Sequence, residues 1–197
     1  IPGIDIRIIN SDSGELLEAG QQGEIVISGP TITEGYFEDV VKTNEVKITL
    51  EVDGEKRTFL KTGDIGLLYN GELFITGRLK DTIIIRGVQY FAEDLEYVTS
   101  QSSDAFLRSA CAAFSIEESQ MEKIVIMQEV KKSALAFNAD MASERIRANL
   151  FDHFGLAVHD ILFLVQGSIP KTTSGKIRRG ECKNQYLNRK LDDVLWR

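Results

Sequence analysis

The sequence is poor in the residue types that mark metal-binding, secreted and nucleic-acid-binding proteins. It has two histidines and two cysteines, and neither Cys111 nor Cys182 has a partner at ligand spacing, which argues against a zinc site or a disulfide framework. Lys and Arg total 23 against 30 Asp and Glu, whereas a nucleic-acid-binding protein needs a basic surface. No apolar run approaches about 18 residues. We therefore expect a cytoplasmic protein with no metal site in this chain, no nucleic-acid partner and no membrane insertion.

What the sequence does contain is the composition of a globular, core-forming protein. Hydrophobic residues make up 43% and charged residues 27% of the 197 positions, which are ordinary values. This length suits one domain or two small ones. The chain begins at Ile1 rather than Met, so we expect it to be a piece of a longer protein.

Short β-branched runs in the first 80 residues predict antiparallel strands. The dipeptides Asp53-Gly54 and Asn70-Gly71 tolerate positive φ at both central turn positions and predict tight hairpins. We expect the resulting sheet to be barrel-like. The predicted strands are 4–9, 24–28, 46–52, 58–61, 65–69 and 73–76.

After Lys80 the pattern changes to strands that alternate with helices. Helices are predicted from Glu93 to Ser100, over about 141–154 with an end at Gly155, and from about 178 to 191. The predicted fold is therefore α+β, with a β-rich part at 1–79 and a small α+β part at 80–197. The predicted strands of the second part are 82–86, 109–114, 123–130 and 161–165.

One lysine stands on a short polar segment, 170–179, among residues that can hold an oxyanion. The segment is not a Walker loop, because seven residues separate Gly167 from Gly175 and Ile177 stands where a magnesium-ligating Ser or Thr is needed. Taken alone, the segment favours the interpretation that Lys176 belongs to a solvated basic turn. The motifs that precede it favour the phosphate-handling interpretation.

Several motifs occur in a fixed order along the chain. They are Pro2-Gly3, Gly23-Glu24-Ile25-Val26-Ile27-Ser28-Gly29-Pro30 with Gly35-Tyr36, Phe59-Leu60-Lys61-Thr62-Gly63-Asp64, Gly77-Arg78-Leu79-Lys80-Asp81 with Arg86-Gly87, and Pro170-Lys171-Thr172-Thr173-Ser174-Gly175-Lys176. Together they resemble the C-terminal signatures of the adenylate-forming superfamily, which includes acyl-CoA synthetases, peptide-synthetase adenylation domains and luciferases. The resemblance implies that 1–79 ends the large domain of such an enzyme and that 80–197 is its mobile C-terminal lid.

The resemblance also implies a role for each motif. Lys176 is then the lysine that stabilises the charge developing at the α-phosphate of ATP. Its supporting loop consists of Thr172, Thr173, Ser174 and Gly175, whose hydroxyls can cap the turn or touch phosphate.

In the same way, Asp64 resembles the aspartate that accepts both ribose hydroxyls, and Arg78 the arginine that reaches ribose or phosphate oxygens. Without the resemblance, Asp64 is an aspartate in a turn and Arg78 a surface arginine. Lys80 occupies the superfamily's hinge position, with Asp81 as the adjacent alternative; hinges absorb torsional change.

The segment from Gly77 to Gly87 is most similar to fatty acyl-AMP ligases. Its continuation to Glu96 keeps the outline of that branch, although Gln89 and Ala92 stand where the branch has Asn and Pro. Such enzymes activate a fatty acid with ATP, leaving AMP, and pass the acyl group to an acyl carrier protein. The basic cluster from Lys171 to Arg179 would suit an acidic carrier protein.

Three alternatives remain open at this point. The chain resembles acyl-CoA ligases, whose acceptor is coenzyme A, and peptide-synthetase adenylation domains. A non-catalytic module that binds a carrier protein is the third. In each enzymatic case the phosphate loop and the Mg²⁺ ligands are expected outside this chain, so the chain alone is expected to be inactive.

Overall fold

The structure is a computed structural model that describes residues 3–134, 137–191 and 194–196. Pro2, part of one predicted motif, lies outside the described residues. The chain divides into two compact units, Ile1–Lys80 and Asp81–Arg197, which we call unit 1 and unit 2. Our predicted boundary fell one residue earlier. That the units are the end of a large domain and a mobile lid stays a prediction.

Unit 1 is built on one antiparallel sheet. Its strands lie in the order β1-β2-β4-β3, with β5 paired to β4. The elements are β1 (Asp5–Ile9), β2 (Gly23–Ser28), α1 (Val40–Glu45), β3 (Lys47–Val52), β4 (Glu55–Tyr69) and β5 (Glu72–Arg78).

The expectation of a barrel-like sheet was wrong. The long strand β4 pairs with β3 along its first part and with β5 along its second part. In the described part of unit 1, β1 and β3 end the row as separate edges, whereas closure would require the edges to pair. A buried apolar cluster on the sheet includes Ile9, Val26 and Phe59.

The two predicted hairpin turns are confirmed. Asp53 and Gly54 have φ of 54° and 79° between β3 and β4, and Asn70 and Gly71 have 51° and 79° between β4 and β5. Positive φ at both positions matches the right-handed strand twist. The predicted strands 58–61 and 65–69 belong to one strand, because β2 pairs with Lys61 before Gly63 and with Ile65 after it, with a register shift between the two pairs.

Unit 2 combines a hairpin, three helices and a four-stranded sheet of order β11-β10-β9-β8. The β9–β10 pair is parallel and its neighbours are antiparallel. The elements are β6 (Thr82–Ile85), β7 (Val88–Phe91), α2 (Ala92–Gln101), β8 (Phe106–Glu118), β9 (Met121–Val130), α3 (Ala139–Phe154), β10 (Val158–Val165), α4 (Arg179–Leu187) and β11 (Val194–Trp196).

Both faces of this sheet are buried. Successive residues of β9 alternate between two apolar clusters: Ile124 and Ile126 lie in the cluster that contains residues of α2 and α3, Val125 and Met127 in the one that contains residues of α4. Such a strand is a continuous hydrophobic run. Because α4 packs against one face of the sheet, the segment between β10 and α4 leads directly into a helix that is held by the core.

The α+β class is confirmed, and several element predictions need correction. The last helix ends at Leu187 rather than near 191, while α1, β7 and β11 were not predicted. The helix end at Gly155 is confirmed by its left-handed φ of 67°. Among the described residues, no helix is both long and apolar enough to cross a membrane.

Candidate functional site

The candidate residues of unit 1 include an ion pair between neighbouring strands. Asp64 in β4 lies opposite Arg78 in β5, and Arg78 Nε donates to Asp64 Oδ1 at 2.9 Å. The Arg78 side chain is 61% exposed and that of Asp64 30%, so the pair borders solvent. The two residues predicted to bind one nucleotide are therefore neighbours, and both side chains are partly accessible to solvent.

Side chains that the sequence analysis did not single out hold the turn before Asp64. The buried carboxylate of Glu24 accepts from the backbone N–H of Gly63 at 3.2 Å. Thr62 Oγ1 donates to the carbonyl of Ile25 at 2.7 Å and accepts from the Asp64 N–H at 3.0 Å. Strand β2, which carries the earlier motif, thus fixes the backbone that presents Asp64.

The candidate residues of unit 2 lie on a tight turn, the Lys176 loop, which we define as residues 170–179. The Thr172 N–H donates to the Lys176 carbonyl at 2.8 Å, and the Gly175 N–H to the Thr172 carbonyl at 2.9 Å. Thr172 Oγ1 accepts from the Lys176 N–H at 3.0 Å and lies 3.0 Å from Ser174 Oγ. Gly175 has φ of 83°, which a residue with a Cβ rarely adopts.

All three predicted hydroxyl side chains are exposed. Thr172 closes the turn, and its hydroxyl lies within hydrogen-bond distance of that of Ser174. Lys176 is also exposed, on a backbone held by the bonds just described. This arrangement presents a cation from an ordered turn.

Arg179, at the end of the loop, is not part of an exposed basic cluster as predicted. Its side chain is 14% exposed, and its Nε and Nη2 donate to the two carboxylate oxygens of Glu96 at 2.7 and 2.8 Å. Its Nη1 donates to Asp81 Oδ2 at 2.7 Å. The docking surface predicted for residues 171–179 is thus smaller by one cation, because two buried or half-buried carboxylates bind the guanidinium.

Glu96 and Arg179 each influence the pKa of the other. Burial raises the pKa of Glu96, and the hydrogen bonds and charge of Arg179 oppose that shift. The pKa of Arg179 is raised above its ordinary value, chiefly because Glu96 accepts its hydrogen bonds. Removing either partner would leave an uncompensated charge in the interior, which is strongly destabilising.

The two hinge candidates differ in their surroundings. Lys80 is exposed and is the last residue of unit 1, whereas Asp81 is half-buried and belongs to unit 2. The bond to Arg179 holds Asp81 to the end of the Lys176 loop. Sequence alone did not reveal this contact, since its partners are 98 positions apart.

A family model and known proteins match this chain. The model described as "Disco-interacting protein 2-like, AMP domain" matches residues 80–194. The medium-chain-fatty-acid–[acyl-carrier-protein] ligase JamA of Moorena producens is 34% identical over 98% of this chain and 33% of its own length. The putative fatty-acid–CoA ligase fadD25 of Mycobacterium tuberculosis is 35% identical over 92% of this chain and 32% of its own length.

A solved structure shares the fold. It comes from a study of fatty acyl-adenylate ligases from E. coli and L. pneumophila, with a TM-score of 0.74 and 32% identity over 96% of this chain and 31% of that chain. This chain thus spans about a third of the length of the proteins it matches.

Proposed function

We propose, from the premise that this chain belongs to the Disco-interacting protein 2-like AMP-domain family of adenylate-forming proteins, that the whole protein is a fatty acyl-AMP ligase. In the proposed reaction a fatty-acid carboxylate oxygen bonds to the α-phosphorus of ATP as the bond to pyrophosphate breaks. The acyl-adenylate then transfers its acyl group to a thiol, leaving AMP. A cytoplasmic location stays a prediction.

The observation that carries the proposal is the Lys176 loop. A cation held on a hydrogen-bonded turn stabilises negative charge that grows in the transition state, and one such preorganised donor contributes about 10²- to 10³-fold in rate. We assign this role to Lys176. We assign Thr173 and Ser174, exposed beside it, to contacts with phosphate oxygens.

Asp64 and Arg78 are assigned to the nucleotide. A carboxylate has two oxygens that accept from a vicinal diol, and a guanidinium donates to ribose or phosphate oxygens. The 2.9 Å bond between the two side chains supports this assignment, because it orients both groups before the nucleotide arrives. The magnesium ion that ATP brings has no assigned ligands in this chain.

The acceptor we favour is the phosphopantetheine thiol of an acyl carrier protein. The similarity to a carrier-protein ligase and the exposed cations Lys171, Lys176 and Arg178 support it, since carrier proteins are acidic. Coenzyme A is the second candidate, favoured by the similarity to a putative fatty-acid–CoA ligase. For a carrier-binding module without catalysis, an ordered Lys176 loop and an Asp64–Arg78 pair would serve no purpose.

The test uses the whole protein with ATP, radioactive pyrophosphate and fatty acids of several chain lengths. We expect pyrophosphate exchange that depends on fatty acid, and acyl transfer to a carrier protein that exceeds transfer to coenzyme A. Residues 1–197 alone are the control and should be inactive. Absence of exchange with every fatty acid would contradict the ligase; efficient transfer to coenzyme A alone would contradict only the acceptor.

A further inference from the structure

We propose that Arg179 is a positioning residue that fixes the Lys176 loop within unit 2 through its bonds to Asp81 and Glu96. The proposal rests on the proposed function, because it assumes that Lys176 acts on the α-phosphate. Arg179 itself is buried in the carboxylate cluster and is not assigned any contact with substrate.

Each of the three guanidinium nitrogens of Arg179 has a hydrogen-bond acceptor. Its three nitrogens donate to Glu96 on two arms and to Asp81 on the third, and Glu93 lies 3.6 Å away. Glu96 is fixed in turn, because its Oε1 accepts from the Ala113 N–H in β8 at 3.0 Å. The arginine therefore connects the loop to a helix and a strand of the core.

The second support is the place of Arg179 in the chain. It is the first residue of α4 and follows Lys176 by three positions, and the adjacent Arg178 N–H closes the loop by donating to the Pro170 carbonyl at 2.9 Å. Because exposed side chains occupy positions 171–176, the orientation of the loop depends on how its ends are held.

The other end of the loop is held by a second buried side chain. Glu129 in β9 is 1% exposed, and its Oε1 accepts from the Ile169 N–H at 2.7 Å. The chain is thus bonded to buried side chains just before the loop and at its end. Loss of one of these attachments should let Lys176 move by an ångström or more, and a misplacement of about 1 Å can cost about 10²-fold in rate.

The experiment compares Arg179→Ala and Arg179→Lys in the whole protein with Arg108→Ala, an exposed arginine of β8, as the matched control. We measure kcat and KM for ATP in pyrophosphate exchange. Hydrogen exchange of the Thr172, Gly175 and Lys176 amides is followed alongside, since each donates a hydrogen bond within the loop.

For Arg179→Ala we expect a kcat loss of about tenfold or more with little change in KM for ATP. Exchange should increase more at the loop amides than in β8 and β9, whose protection should fall only with the overall loss of stability. Arg179→Lys should fall between, because it keeps the charge but loses the two-armed bond to Glu96. Arg108→Ala should match the wild type in both measurements.

A wild-type kcat in Arg179→Ala would overturn the proposal. Should Arg179→Ala fail to fold, Arg179→Lys decides: lowered kcat with local loop exchange supports positioning, and unchanged kcat overturns it. If the wild-type protein itself shows no pyrophosphate exchange, the ligase proposal fails, while unaltered loop exchange in the variants would separately overturn the anchoring role.

Discussion

The buried carboxylate of Glu24 accepts a hydrogen bond from the backbone N–H of Gly63, 39 positions later in the chain. The second carboxylate oxygen lies 3.8 Å from Lys61 Nζ. Two of the recognised motifs are therefore in direct contact, and the earlier one serves to hold the backbone of the later one. Within the described residues the carboxylate accepts through Oε1 only, and Oε2 is buried without a hydrogen-bond partner.

Glu24→Ala should therefore lower the free energy of unfolding by about 1 to 3 kcal/mol, the cost of leaving a buried donor unpaired. Glu24→Gln should lose less, because its amide oxygen still accepts from Gly63. Urea denaturation measures both, with Glu18→Ala, an exposed glutamate of the same unit, as control. Equal stability of Glu24→Ala and Glu18→Ala would show that the contact is of no consequence.

Asp64→Asn should weaken the use of ATP. The amide has one acceptor oxygen instead of two and carries no charge, so it cannot accept one ribose hydroxyl on each oxygen and forms no ion pair with Arg78. We expect KM for ATP to rise about tenfold or more, given about 1.5 to 3 kcal/mol for a hydrogen bond to a charged group. Asp53→Asn, in the exposed β3–β4 turn, is the control. An unchanged KM would remove Asp64 from the nucleotide site.

Lys176→Ala should reduce adenylation by about 10²-fold or more, while transfer from a preformed acyl-adenylate is much less affected. The reason is that the lysine stabilises charge in only one of the two half-reactions. Each half-reaction is measured separately in the whole protein, with the exposed Lys190 changed to alanine as control. Equal losses in both half-reactions would indicate a structural role.

Lys80→Pro tests the hinge. The proline ring fixes φ at about −65°, so a domain movement that needs rotation about φ at this position stops. One half-reaction should then survive while the other fails. Lys80→Ala, which leaves the torsion free, should retain both, and circular dichroism checks the fold. The bond of Asp81 to Arg179 favours Lys80 as the pivot. If Lys80→Pro keeps both half-reactions, Asp81 is the next position to test.

The buried thiol of Cys182 should make stability depend on pH in the alkaline range. Burial raises its pKa from 9.0 to about 12, so the folded protein keeps a proton that the unfolded chain releases above pH 9. Linkage then requires the free energy of unfolding to fall between pH 9 and pH 12. Cys182→Ala should show a smaller fall over this window in urea denaturation. Identical pH profiles would contradict the raised pKa.

Rules that depend only on neighbouring residues predicted the hairpin turns and the end of α3 correctly. Asn70-Gly71 predicted its hairpin because few other dipeptides tolerate positive φ twice, and Gly155 ended α3 for a related reason. The same rules split β4 in two at Gly63, since a glycine with a turn-forming aspartate indicates an interruption. In the folded sheet β2 pairs with β4 before and after Gly63, with a register shift between the two pairs, so the glycine marks an irregularity within one strand.

The site residues also differ in whether neighbouring residues or distant contacts determine their surroundings. The polar turn around Lys176 was recognisable because its members are adjacent in the sequence, and Asp64 and Arg78 were each singled out by the family resemblance. The ion pair between Asp64 and Arg78 was not predicted. The burial of Arg179 was not predicted either, because its partners are 83 and 98 positions away and an arginine within a basic run has the local signature of a solvated surface. Only the packing of α2 and α4 on the sheet distinguishes it from Arg178.

The Asp81–Arg179 bond also constrains how this region can be exchanged between related proteins. It joins the first residue of unit 2 to the first residue of that unit's last helix. A recombination crossover placed before Asp81 transfers both halves of the bond together. A crossover placed one residue later takes position 81 from one parent protein and Arg179 from the other. Chimaeras made at these two adjacent junctions therefore differ in whether both residues of the ion pair come from the same parent.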